Sequence, residues 1–132
     1  MAEKLQFALV SPERELFAGE VDQVVVPGAE GEFGVLPKHA PVMSTIKPGA
    51  LRILNDGTER RIFVNGGFAD VTPDGLTVLA EDAVDLAGID LAGVEQDLRN
   101  AKEDFDGAKD DAKRAIAASK LQRLEALKAA IR

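Results

Sequence analysis

A chain of 132 residues has room for one compact unit, or for one small domain with an appendage, and two full catalytic domains do not fit. With 45% hydrophobic residues the composition is that of a globular protein, and the absence of cysteine together with a single histidine excludes a disulfide framework and a Cys/His zinc site. A net charge of -7 disfavours nucleic acid and anionic lipid, both of which need clustered Lys and Arg, so the expected partners are proteins.

The first half, residues 1–86, carries all six prolines and most of the glycines. Between this punctuation recur short apolar runs: Leu5 to Val10, Val21 to Val26, Val42 to Ile46, Leu51 to Leu54, Ile62 to Val64, Phe68 to Val71 and Leu76 to Ala80. Short, regularly spaced strands predict an antiparallel β-sandwich or barrel. Asp56-Gly57 and Asp74-Gly75 sit between such runs, and this dipeptide supplies the positive φ angles of a tight hairpin. Pro27, Pro37 and Pro48 are expected at strand ends, where a missing N–H interrupts no ladder.

Past residue 87 the period changes. Leu91, Val94, Leu98, Ala101, Phe105 and Ala108 fall on one helical seam, with Asp90 as the N-cap. Asp106-Gly107 offers a stop and Asp110-Asp111 a new start, before a second stripe of Ile116, Ala117, Leu121, Leu124, Leu127 and Ile131. The fold expected is therefore α+β in two parts, a sandwich over residues 1–86 and a two-helix hairpin over 87–132. The first seam also continues in phase through Gly107 to Ala112 and Ala115, so one longer helix remains open. Residues 90–111 hold eight acids against three bases, and residues 112–132 one acid against six bases, which favours the folded-back form.

Catalytic motifs are absent. Gly28-Ala29-Glu30-Gly31-Glu32-Phe33-Gly34 lacks the Gly-Lys-Ser/Thr ending of a phosphate loop, and its carboxylates repel phosphate. Structurally it reads as a flexible turn between strands; functionally it reads as an acidic contact loop for a basic partner. His39 has no nucleophile motif to serve, and Ser11, Ser44 and Ser119 lack supporting context, so a turn or interface histidine is the better reading. No run of about 18 apolar residues exists and the N-terminus has no signal-peptide grammar, which points to a cytosol-like compartment.

Gly31-Glu32-Phe33-Gly34-Val35-Leu36-Pro37, His39-Ala40-Pro41, Ile46-Lys47-Pro48-Gly49, Asn65-Gly66-Gly67-Phe68-Ala69-Asp70-Val71 and Thr77-Val78-Leu79-Ala80-Glu81-Asp82-Ala83 resemble the signature of the epsilon subunit of F-type ATP synthases. The resemblance runs through nearly all of residues 1–86, and a sandwich followed by a helical hairpin is that family's layout. It implies a non-catalytic central-stalk subunit, peripheral on the cytoplasmic face of a bacterial inner membrane, with no direct lipid insertion. Its implied partners are the gamma subunit, the c-ring and, in an extended hairpin state that inhibits ATP hydrolysis, the alpha/beta catalytic head. By position in the motif, Glu30, Gly31 and Glu32 would face the c-ring, and His39, Met43 and Ser44 the gamma subunit. The basic last helix from Lys113 would suit an acidic surface on the head.

ATP-binding members carry Ile-Asp-x-x-Arg-Ala, whereas this chain reads Ile89-Asp90-Leu91-Ala92-Gly93-Val94, with Gly93 at the Arg position. Glu81, Asp90 and Arg123 match the nucleotide site in kind. Without the bidentate guanidinium the expectation is weak or absent ATP binding and no resident cofactor. An ATP-sensing hairpin is the alternative function. Lys38 stands where a Gly is usual before His-Ala-Pro, which leaves the geometry of that turn open.

Overall fold

The computed structural model describes residues 3–131, which divide into two compact units, one ending at Ala87 and one beginning at Gly88. The first unit is built from ten strands: β1 Leu5–Val10, β2 Glu15–Val21, β3 Gln23–Gly28, β4 Gly31–Val35, β5 Val42–Ile46, β6 Gly49–Asn55, β7 Thr58–Val64, β8 Gly67–Thr72, β9 Gly75–Ala80 and β10 Ala83–Asp85. They hydrogen-bond in the order β10-β7-β6-β3-β5-β8-β9-β1-β2, with β4 added beside β3. β3 pairs with β6 through Gln23–Val25 and meets β5 only at Gly28 opposite Ile46, so the sheet turns a corner there and forms two layers. Every pairing is antiparallel except β1 with β9, where the N-terminal strand lies parallel to its neighbour.

The period-2 pleat explains the core. Val24, Val26, Leu51, Ile53, Ile62 and Val64 point inward from one layer, and Leu5, Phe7, Leu9, Ala69, Val71, Leu76 and Val78 from the other. Phe17, half-buried on β2, packs on Phe7 with ring centroids 5.5 Å apart.

Three strands escaped the sequence reading. β2 carries few β-branched residues, β4 is glycine-rich, and β10 is three residues long. Of the two Asp-Gly hairpins, the first is as expected: Asp56 (φ 51°) and Gly57 (φ 79°) make a two-residue primed turn. The second is shifted by one residue. Thr72 pairs with Gly75, so Pro73-Asp74 form the loop, because proline's fixed negative φ excludes a primed turn at its own position. Gly75 belongs to β9, where a Cβ would collide with the Gln6 carbonyl of the adjacent parallel strand.

The second unit is two helices, α1 Leu91–Gly107 and α2 Asp111–Ile131, and not one continuous helix. Asp90 caps α1 by accepting from Ala92 N at 3.2 Å, and Asp110 caps α2 by accepting from Lys113 N at 2.7 Å. The break falls at Ala108, whose extended backbone ends α1, so Gly107 is the last helical residue and not a left-handed cap. Val94 and Ala101 on α1, and Ala117, Leu124 and Leu127 on α2, are buried. Ile116 is a correction to the expected stripe, since it is 71% exposed on the outer side of α2. Among the described residues no helix is long and apolar enough to cross a membrane.

Candidate functional site

The acidic segment is the tip of a hydrogen-bonded hairpin. β3 and β4 remain paired up to Gly28 opposite Gly31, leaving Ala29-Glu30 as a two-residue loop. Gly31 sits at φ 135°, and a Cβ on Gly28 would come within 2.8 Å of the Gly31 carbonyl and the Phe33 ring. The hairpin is tied to β5 by Ala29 N donating to Thr45 O (2.9 Å) and Lys47 N donating to Pro27 O (3.0 Å). Glu30, Gly31 and Glu32 are all exposed on this support. Two carboxylates are thus presented at one end of the sandwich at little further ordering cost.

His39 lies at the opposite end, in the 36–41 connection from β4 to β5. His39 N donates to Leu36 O at 3.2 Å, and its Nδ1 donates to Ala40 O at 2.7 Å, so this ring nitrogen carries the proton. Lys38 holds φ 63° and pairs with Glu3 at 2.9 Å, so the turn keeps a left-handed geometry although a side chain replaces glycine. Among the described residues there is no group of three or more His, Asp or Glu arranged to hold a metal ion.

Met43 and Ser44 do not share a face. Met43 pairs with Asp70 and is 69% exposed on the outer side of β5, whereas Ser44 pairs with inward-facing Ala69 and donates its hydroxyl to Thr45 O. The outer face around Met43 is the feature that the sequence reading missed. Thr45, Phe68, Leu79 and Val10 form one cross-strand row, and Met43, Asp70, Thr77 and Ala8 form the next. Phe68 is 50% exposed and Leu79 43% exposed, directly opposite one another. Large apolar side chains clustered on a face that should be polar mark an interaction surface. A signal was available: Ala69/Val71 and Leu76/Val78 claim the inward phase, so Phe68 and Leu79 had to point out.

The three nucleotide-site candidates have other surroundings. Glu81 is exposed, its backbone N–H bonded to Gly66 O in the β9–β10 connection. The Asp90 carboxylate is engaged as the α1 cap, and Arg123 is half-buried on α2. Gly93 is exposed, and a Cβ there would make only ordinary contact with Asp90, so no crowding dictates glycine at the position of the missing Arg.

Charge is organised elsewhere on the sandwich by an ion cluster. Lys4 Nζ lies 2.7 Å from Asp22 Oδ1 and 2.9 Å from Asp56 Oδ1, and also donates to Asn55. The hydrogen bond from Lys4, followed by one from the Asp56 backbone N–H, holds the Asp22 carboxyl below its ordinary range. Lys4 is raised in return, first by Asp22 and then by Asp56.

Residues 4–86 match the family model described as the β-sandwich domain of the ATP synthase delta/epsilon chain. The chain belongs to this ATP synthase delta/epsilon family. Its relatives include the ATP synthase epsilon chain of Maricaulis maris (strain MCS10), 57% identical over 129 residues, covering 98% of this chain and 97% of the relative. The epsilon chain of Parvibaculum lavamentivorans is 54% identical, covering 97% of this chain and 98% of the relative. Among solved structures, a chain in the cryo-EM structure of the Euglena gracilis mitochondrial ATP synthase superposes with a TM-score of 0.85 at 25% identity, over 98% of this chain and 82% of that one. A chain of the central stalk and c-ring of the Tetrahymena thermophila enzyme has the same fold, with a TM-score of 0.69 at 16% identity and 98% coverage of both chains.

Proposed function

We propose that this chain is a non-catalytic coupling subunit of the central stalk of a proton-translocating F-type ATP synthase. It holds to the membrane peripherally, through other subunits, on the cytoplasmic face of a bacterial plasma membrane. The observation that carries the reading is the apolar outer face formed by Met43, Phe68 and Leu79. This face takes the gamma subunit, and His39 borders it on the β4–β5 connection. On the β3–β4 hairpin beside the Thr45–Phe68–Leu79 row, Glu30 and Glu32 meet the c-ring, where exposed carboxylates set register and association rate more than total affinity. A sandwich that carries both contacts on one hydrogen-bonded frame can pass torque from the ring to gamma without making or breaking a bond. The basic α2 reaches the catalytic head in an extended state and slows hydrolysis there.

Binding of the purified chain to an isolated gamma subunit tests this. Phe68→Asp puts a charge into a desolvated contact and is expected to weaken binding by about 30-fold or more, as loss of a central anchor does. Unchanged binding would end the proposal for this face. The ATP-sensing alternative is favoured by the kind of residue at Glu81, Asp90 and Arg123 and opposed by Gly93 and by the capping duty of Asp90. Calorimetric titration is expected to register no heat at millimolar ATP; saturable heat lost in Arg123→Ala would favour the alternative.

A further inference from the structure

Arg60 occupies a position that sequence spacing gave no reason to single out. It lies on β7, yet its guanidinium reaches residues of both strands that end the pairing order. Its Nε and a terminal nitrogen bond Asp85 Oδ2 on β10 at 3.1 and 3.0 Å. Its Cζ lies 5.7 Å from the centroid of the Phe17 ring on β2. Asp85 has a second role: its other oxygen, Oδ1, accepts from Ala87 N at 3.0 Å, which bends the chain into the short 3₁₀ turn Leu86–Gly88. One carboxylate thus joins the last strand to the second backbone amide beyond it. β10 has only three residues in register, Ala83 to Asp85 opposite Val64 to Ile62, so its own ladder is short. After it comes Gly88, exposed and with nothing within 4 Å of where a Cβ would stand.

We propose that Arg60 and Asp85 form a latch that keeps β10 zipped to β7 and holds the chain after it as far as Ala87, so that reorientation of the helical pair starts at Gly88. The latch sets the length of the tether. Releasing residues 83–87 frees five residues, about 17 Å of extended chain, and widens what the helices can reach. The part played by the helices rests on the functional reading above, whereas the latch is a property of the chain alone and is tested without gamma.

Hydrogen exchange on the full chain reads it directly. In Arg60→Gln and in Asp85→Ala, amides of residues 83–87 are expected to exchange about five-fold faster, the scale of an exposed charge pair. Amides of Val24–Val26 and Leu76–Ala80 keep their protection, and Arg60→Lys falls between because it retains the charge but not the fork. Wild-type exchange across 83–87 in both variants overturns the latch. A uniform acceleration across the sandwich also overturns it, since Arg60 would then be a general stability residue. Gamma binding measured on the same samples separates this outcome from failure of the functional reading.

Discussion

The sandwich and the helical pair solve the burial problem unequally. In the sandwich every strand from β1 to β9 places at least one side chain against a shared core, which includes Phe7, Leu9, Leu51 and Leu76. The helices bury only Val94, Ala101, Ala117, Leu124 and Leu127 among the described residues, and two of these are alanines. Lys128 to Glu95, at 3.5 Å, is an ion pair across the two helices, and a partly exposed pair adds little. The two units thus differ in how many large apolar side chains they bury, and local stability follows that difference.

This contrast can be broken most sharply from inside the body. Leu51→Ala leaves a cavity at a fully buried site between layers and is expected to cost about 3 kcal/mol, seen as a lower Tm of the main thermal transition. Leu124→Ala is expected to cost less, about 2 kcal/mol, because the surface-facing hairpin can close around the gap. Its effect should be confined to faster amide exchange in α1 and α2, with the sandwich transition unmoved; a matching drop in that transition would mean that the two regions melt as one.

How far these distinctions are legible in sequence depends on the interaction concerned. Alternation gave the β6–β7 hairpin and the inward rows, and a 3.6 period with Asp90 and Asp110 gave both helices, because these signals are local. The β3–β4 hairpin was legible as a turn but not as a braced one, since the bonds that brace it join Ala29 to Thr45 and Pro27 to Lys47, partners far apart in sequence. The Pro73-Asp74 turn was misregistered because Asp-Gly was weighed without the preceding proline. Met43 was reached through family resemblance, while Phe68 and Leu79 became visible as its neighbours only once the pairing of β5, β8 and β9 was in place. Glu81, Asp90 and Arg123 remain a proposal from resemblance.

Two smaller effects sharpen the account of the sandwich. The Lys4–Asp22–Asp56 cluster is stabilising only while Asp22 is ionised and Lys4 protonated. The Asp22 carboxyl is held below its ordinary range, so its contribution is present above the unfolded value and is lost as pH falls through the folded one. Lys4 is raised, so its contribution is present below the unfolded lysine value and is lost as pH rises through the folded one. The window runs from about pH 4 to pH 10, and Lys4→Met should flatten the acid limb of a stability–pH curve. The smallest effect is a gain: Lys38→Gly relieves a left-handed lysine and should raise stability by up to about 1 kcal/mol in denaturant titration.

The most direct measurement is the affinity for the gamma subunit of the full chain beside that of a chain ending at residue 87, by titration calorimetry under one set of conditions. If the body alone carries the docking face and the helices act elsewhere, the two dissociation constants agree within about three-fold, and Phe68→Asp weakens both alike. A loss of ten-fold or more on removing residues 88–132, with Phe68→Asp harmless in the full chain, would contradict that division of labour.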